Sequence, residues 1–152
     1  MKKILAMSVA AATLLAAVPA SAHHSFAMFD PSQEVVVEGN VVRWQFSNPH
    51  TFMIIEDDDG QVWAFEGSAP AALISRGMTG TTFDVGDRLF VVQCPLRDGR
   101  PGGAAGIFIT EDGTVYSPAD GGCQTSRNID NWPGWIDAGY RSLEEVEAAG
   151  AL

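Results

Sequence analysis

Short runs of β-branched and aromatic residues, bounded by glycine, proline or aspartate, fill the middle of this chain and restrict the fold it can adopt. The first run, residues 34–44, is long and valine-rich and contains Gly39, where a strand can bend or bulge. Two more runs, residues 50–56 and 61–66, flank Asp58-Asp59-Gly60, whose Asp-Gly step suits a tight hairpin turn. Further strands are predicted at residues 88–94, 105–110 and 114–117.

One short helix is predicted between the third and fourth strands. Ser68 is expected to cap it, Pro70 lies in its first turn, and Gly77 ends it. Three strands, a helix, and then two or three strands is the order of an OB-type barrel. We therefore expect a mainly β domain over residues 34–117, built as a small five- to six-stranded OB-like barrel with one short helix.

Residues 118–152 have a different composition and are expected to form a C-terminal appendix to the barrel. They are polar and glycine-rich up to a Trp-Pro-Gly-Trp sequence. We expect Trp132 and Trp135 to pack on the barrel. A Ser-x-x-Glu pattern predicts a short helix from Ser142 to Ala149.

Residues 1–22 have the pattern of a cleavable secretory signal. Lys2 and Lys3 precede an apolar run, and small residues end the segment at Ala22. The apolar run is shorter than the roughly 20 residues that a membrane-spanning helix needs. We expect cleavage after Ala22 to leave a soluble periplasmic protein without a membrane span, beginning with an N-terminal arm of residues 23–33.

Charge and cysteine content limit the partners of the processed chain. The whole chain has 9 basic and 19 acidic residues, and loss of Lys2 and Lys3 leaves a net charge of −12. Because polyanion binding needs clustered cations, nucleic acid and anionic lipid are not expected partners. Cys94 and Cys123 are expected to form a disulfide that ties the tail to the barrel. The alternative, Cys94 as a soft metal ligand, lacks a histidine shortly downstream.

Several motifs together resemble the domain-of-unknown-function family 6152 of small secreted bacterial proteins. The most specific are the His24-Ser25-Phe26 start and the Asn48-Pro49-His50 turn, and the others are Gly39-x-Val41, Trp63-x-Phe65-Glu66, Pro70-x-x-Leu73 and Gly86-Asp87. The resemblance covers about residues 23–117 and leaves out the tail. It implies export and a small β domain, but no established reaction.

The few histidines of the chain suggest a metal site. His23 would become the N-terminal residue after cleavage, His24 follows it, and His50 stands at the mouth of a predicted strand. An N-terminal histidine can offer its amine and its ring nitrogen to Cu(II), and one more imidazole completes a histidine brace. His50 is the expected third ligand if the arm folds back across the barrel, and Met28 or Met53 could add a sulfur ligand. The leading hypothesis is therefore a periplasmic protein that holds copper for trafficking or storage.

The sequence is also compatible with two other functions. In the first, the protein is a metal-free interaction module that binds a partner protein or a small apolar ligand through Trp44, Phe46, Phe52 and Trp63. In the second, a copper oxidase or oxygenase uses the same ligands. The chain has no Gly-x-Ser-x-Gly elbow, phosphate loop or zinc-helix motif, which favours binding over catalysis. Glu66 is expected to accept backbone hydrogen bonds at the following helix, and Asp87 is expected to close a turn.

Overall fold

The computed structural model describes residues 26–123 and 125–152, and six strands form the body of this part. The strands are β1 (Val35–Gln45), β2 (Thr51–Glu56), β3 (Val62–Gly67), β4 (Arg88–Pro95), β5 (Gly102–Thr110) and β6 (Val115–Tyr116). The α-helices of this part are α1 (Pro70–Ile74), α2 (Trp132–Asp137) and α3 (Leu143–Ala148), and two 3-10 turns span Phe26–Met28 and Thr125–Arg127. The predicted signal peptide, His23 and His24 lie outside the described residues.

The first five strands close into a barrel. Their order is β3-β2-β1-β4-β5, and β5 returns to pair with β3 in parallel, with Phe65 opposite Gly103. The sixth strand adds to the outer edge of β5, and α1 lies between β3 and β4. The prediction of a mainly β, five- to six-stranded OB-like barrel with one helix in this position is confirmed.

Strand β1 pairs with two neighbours because it is long. Its first half, Val35 to Asn40, pairs with β4, and its second half pairs with β2. The bulge lies between Val41 and Arg43, two residues beyond the glycine at which a bend is predicted. Gly39 has another role, since a Cβ atom there would lie 2.5 Å from the backbone oxygen of Glu56. The glycine permits close approach of two backbones.

The helix α1 forms where it is predicted, but its predicted cap is wrong. Ala69 occupies the cap position without a side-chain hydrogen bond, and Ser68 Oγ instead donates to the carbonyl oxygen of Ala119 at 2.7 Å. Because Ser68 is 2% exposed, its hydroxyl needs a buried partner, and the tail supplies one. Gly77 follows the helix with φ of +82°, as expected for a terminating glycine.

Strand β5 begins earlier than predicted, inside the glycine-rich loop. Gly102 and Gly103 belong to the strand because they allow it to approach β3 and β4 closely. A Cβ atom on Gly102 would lie 2.3 Å from the oxygen of Ala64, and one on Gly103 would lie 2.3 Å from the oxygen of Cys94. The glycines that resemble a loop in sequence therefore permit closure of the barrel.

The tail covers the outer face of β1, β4 and β5. Trp132 and Trp135 pack there with residues such as Ile107 and Val146, so the predicted packing of both tryptophans is confirmed. The helix α2 was not predicted, because Trp-Pro-Gly-Trp is typical of a turn, but proline is tolerated in a first helical turn. The Nε1 atom of Trp132 donates to Oε2 of buried Glu34 at 2.7 Å.

The predicted helix that follows Ser142 is present. Ser142 Oγ accepts a hydrogen bond from the backbone of Glu145 at 3.2 Å, so the serine caps α3. The chain at the start of β1 also bonds to this segment. Val36 N donates to the oxygen of Arg141, and Leu143 N donates to the oxygen of Glu34, the residue before the strand. None of the helices in the described ranges is long and apolar enough to cross a membrane.

The disulfide between Cys94 and Cys123 is present, which confirms that the tail is linked to the barrel. Both cysteines are buried and form a small apolar cluster with Phe29 and Ala104. Cys94 is therefore not available as a thiolate ligand in this state. The same cluster holds the N-terminal arm, because Phe29 belongs to it.

Candidate functional site

Three oxygen atoms surround one ring nitrogen of His50. This residue follows the cis Asn48–Pro49 peptide bond and immediately precedes β2. Its Nδ1 atom lies 3.1 Å from Oδ2 of Asp120, 3.2 Å from Oε1 of Glu66 and 3.3 Å from the backbone oxygen of Gly67. The side chains of His50 and Glu66 are 18% and 19% exposed. The site is thus a partly buried cluster at one end of the β2–β3 hairpin.

Three consecutive residues at the end of β3 organise this cluster. Glu66 contributes its carboxylate and Gly67 its carbonyl oxygen. Ser68 contacts the tail rather than the histidine, with its N–H donating to the oxygen of Pro118 at 2.8 Å and its Oγ to the oxygen of Ala119. These two bonds hold the chain immediately before Asp120. The barrel therefore provides one carboxylate directly and holds the segment that carries the other.

The chemistry of these neighbours favours one tautomer of His50. A carbonyl oxygen and ionised carboxylates accept hydrogen bonds but cannot donate them. The three oxygens therefore favour a proton on Nδ1, which can donate to them. In the neutral ring the Nε2 atom then holds the lone pair that a metal ion could accept.

The expected role of Glu66 at the helix is not met. The carboxylate contacts His50 instead. The pairing of β2 with β3 places Glu66 opposite Phe52 on the outer side of the barrel, and His50 lies just before β2 at the same end. Asp87 does close a turn, as predicted, since its Oδ2 accepts a hydrogen bond from the backbone of Asp84 at 2.9 Å.

The described part of the N-terminal arm folds back onto the barrel. Phe29 forms an isolated β-bridge with Leu96. The backbone N–H of Asp30 donates to Pro95 at 2.8 Å, and that of Arg97 donates to Met28 at 2.9 Å. The arm is thereby fixed at the β4–β5 end, beside the disulfide.

A groove of about 350 Å³ lies between this arm and the outer face of β2 and β3. Its lining is mostly apolar and consists of Met28, Phe29, Phe52, Ala64, Glu66, Leu96, Arg100, Pro101 and Gly103. Met28, which is 43% exposed, and Glu66 line the same groove. The alternative sulfur ligand, Met53, is excluded because it is fully buried in the core inside the barrel.

The four aromatic residues proposed as a binding face do not share one surface. Trp44 and Trp63 pack against the core inside the barrel, and the ring of Trp44 lies 5.6 Å from that of Phe46. Only Phe52 among them lines the outer groove. The alternation of a β-strand explains the separation, because successive side chains point to opposite faces.

Of the predicted metal ligands, the structure describes His50 and Met28, whereas His23 and His24 lie outside the described residues. Within residues 26–123 and 125–152, no group of three or more His, Cys, Asp or Glu side chains is arranged to hold a metal ion. The contribution of Asp120 was missed in the sequence. Its only signal is its place three residues before a cysteine that is expected to bond to the barrel.

A model of the family of unknown function DUF6152 matches residues 11–105 of the chain. No curated protein and no solved structure matches it. The matched region contains His50 and Glu66 but ends before Asp120.

Proposed function

We propose that this chain, which belongs to the family of unknown function DUF6152, is an exported protein that holds copper for trafficking or storage. In this proposal His50 binds the metal through Nε2, and the N-terminal amine and ring of His23 complete a histidine brace, with His24 beside it. The observation that carries the proposal is the set of oxygens around Nδ1 of His50. Metal-binding histidines usually donate their other N–H to a carboxylate or a carbonyl oxygen, which orients the ring.

The position of the arm supports a contribution from the N-terminus. A Cβ atom on Gly122 would lie 2.9 Å from the ring of Phe26, so the first described residue stands beside the tail. Asp120, which contacts His50, lies only two residues before this glycine. His23 precedes Phe26 by three residues, and three residues of extended chain span about 10 Å. In the proposed site, this length of chain brings the amine of His23 toward His50.

The choice of copper follows from the donor atoms. Two imidazoles and an amine are nitrogen ligands, which suit Cu(II) in a tetragonal arrangement. Met28 offers a thioether, a soft ligand that Cu(I) accepts, at the edge of the groove that Glu66 also lines. The net negative charge of the chain attracts cations. Export is supported by the disulfide, because such bonds persist in oxidising compartments.

Copper titration of the processed protein tests this function. We expect one Cu(II) to bind with about three nitrogen ligands in electron paramagnetic resonance spectra. His50→Ala should weaken binding at least about 100-fold, and an extra alanine before His23 should weaken it comparably by removing the amine. The control is Asp59→Asn, which removes one negative charge at the opposite end of the β2–β3 hairpin. Equal copper affinity in all four proteins would refute the proposal.

The groove supports a second candidate function, binding of a small apolar ligand without metal. Its volume of about 350 Å³ lies in the range of small-molecule sites, which is roughly 300–1,000 Å³. The probe is 1-anilinonaphthalene-8-sulfonate, whose fluorescence rises in apolar sites. Phe52→Ser should abolish the fluorescence gain and leave copper binding intact, whereas His50→Ala should do the reverse. No fluorescence gain with the wild-type protein would exclude an apolar site of this kind.

A further inference from the structure

We propose that Asp120 is a positioning residue for His50, and that the Cys94–Cys123 disulfide helps to hold it in place. The inference rests on the proposed function, which gives the orientation of His50 its purpose. Asp120 Oδ2 lies 3.1 Å from Nδ1, as close as the carboxylate of Glu66. Asp120 lies beyond residues 11–105, which match the family, so the tail adds a second carboxylate to the one that Glu66 of the barrel supplies.

Two anchors hold the segment that carries Asp120. Before it, Ser68 donates to the carbonyl oxygens of Pro118 and Ala119, and Arg76 donates to those of Ser117 and Ala119. After it, only two glycines separate Asp120 from the disulfide at Cys123. Because glycine restricts the backbone little, the disulfide is needed to limit the movement of this side of the segment.

The same disulfide also supports the N-terminal arm. Phe29 is buried against Cys94 and Cys123, and a Cβ atom on Gly122 would lie 3.3 Å from the Phe29 ring and 2.9 Å from the ring of Phe26. The arm that leads to His23 and the segment that carries Asp120 therefore rest on one buried cluster. Loosening the cluster would disturb both sides of the proposed copper site at once.

We expect Asp120 to affect copper affinity indirectly, as a residue that contacts a metal ligand. Loss of such a residue commonly costs 10–100-fold in metal affinity. We expect Asp120→Asn to weaken Cu(II) binding by about 10–100-fold, because the uncharged amide polarises the ring less than the carboxylate does. The melting temperature should change little, since the Asp120 side chain is 38% exposed. Asp120→Glu, which keeps the charge on a longer side chain, should restore part of the affinity.

The closing experiment combines copper titration with nitrogen NMR of the His50 ring in the metal-free protein at pH 8. The variants are Asp120→Asn and Asp120→Ala, and the control is Asp137→Asn, an exposed acid of the tail. We expect the ring of the wild type and the control to be protonated at Nδ1. In Asp120→Ala, where Glu66 and the Gly67 carbonyl oxygen remain, we expect a larger share of the tautomer protonated at Nε2. Unchanged tautomer and unchanged affinity in both Asp120 variants would overturn the inference.

The outcomes also separate this inference from the proposed function. If His50→Ala abolishes copper binding but Asp120→Asn does not weaken it, the function stands and the positioning role is refuted. If no protein binds copper, the proposed function fails, and the tautomer measurement still decides whether Asp120 controls the ring. Cys94→Ala with Cys123→Ala should shift the tautomer in the same direction as Asp120→Ala, and an unchanged ring would exclude the contribution of the disulfide.

Discussion

Removal of the disulfide should destabilise the protein by an amount that follows from the chain it closes. Cys94 and Cys123 are 29 residues apart. In the chain-entropy model, a cross-link of this span lowers the entropy of the unfolded state by about 12 cal/mol/K, which is about 3.6 kcal/mol at 25 °C. We expect Cys94→Ala with Cys123→Ala to lower the free energy of unfolding by about this amount.

Thermal denaturation followed by circular dichroism measures the effect. Unfolding entropy is about 2.1 cal/mol/K per residue, so the roughly 130 residues left by the predicted cleavage after Ala22 should lose about 13 °C in melting temperature. The control is the wild-type protein in a dithiol reductant, which loses the cross-link but keeps both sulfur atoms. A shift below about 3 °C in both samples would show that the tail is held mainly by its other contacts, and the entropic reasoning would be wrong.

Three further substitutions test individual contacts. Trp132→Phe should cost about 2 kcal/mol in a urea titration, because it removes the donor to buried Glu34, and a cost below about 0.5 kcal/mol would contradict this. Gly39→Ala should lower the free energy of unfolding by about 2 kcal/mol, because its Cβ would lie 2.5 Å from a backbone oxygen. Gly134→Ala, whose Cβ would meet no atom, should be neutral or stabilising, and equal effects of the two substitutions would contradict the packing argument. Hydrogen bonds from the Trp63 indole and the turn backbone lower the pKa of Asp57 from 3.8. The stabilisation is therefore complete well above pH 3.8 and is lost as the pH falls through the lowered value. Asp57→Asn should reduce the melting temperature at pH 7, and this reduction should shrink as the pH falls below 3.8; a pH-independent difference would refute it.

Local patterns were sufficient to predict the strands and turns of the barrel. The valine-rich run before Gly39 and the Asp-Gly step at Gly60 signal a strand and a hairpin without information from the rest of the chain. The details that failed depend on distant contacts. Ser68 resembles a helix cap, but its hydroxyl binds Ala119, which is 51 residues away. Gly102 resembles a loop residue, but it pairs with β3.

In the candidate site, too, one residue could be predicted from the sequence and its partners could not. His50 could be singled out because histidines are few and because Asn-Pro places it at the mouth of a strand. Its partners could not be assigned, since Glu66 is 16 residues away and Asp120 is 70 residues away, and carboxylates are common in an acidic chain. Only the register of β2 with β3 and the path of the tail bring these groups together.

The tail therefore has two effects that a truncation could not separate. Its helices bury Trp132 against the outer face of the barrel, and its first segment brings Asp120 to His50 on another side. A chain that ends after β6 would lose the disulfide, the outer cluster and the second carboxylate together, and weaker copper binding would then have three explanations. Asp120→Asn leaves the disulfide and the cluster in place and changes only the charge beside His50. A loss of copper affinity in that variant without a change in melting temperature can be assigned to the loss of the carboxylate beside the histidine.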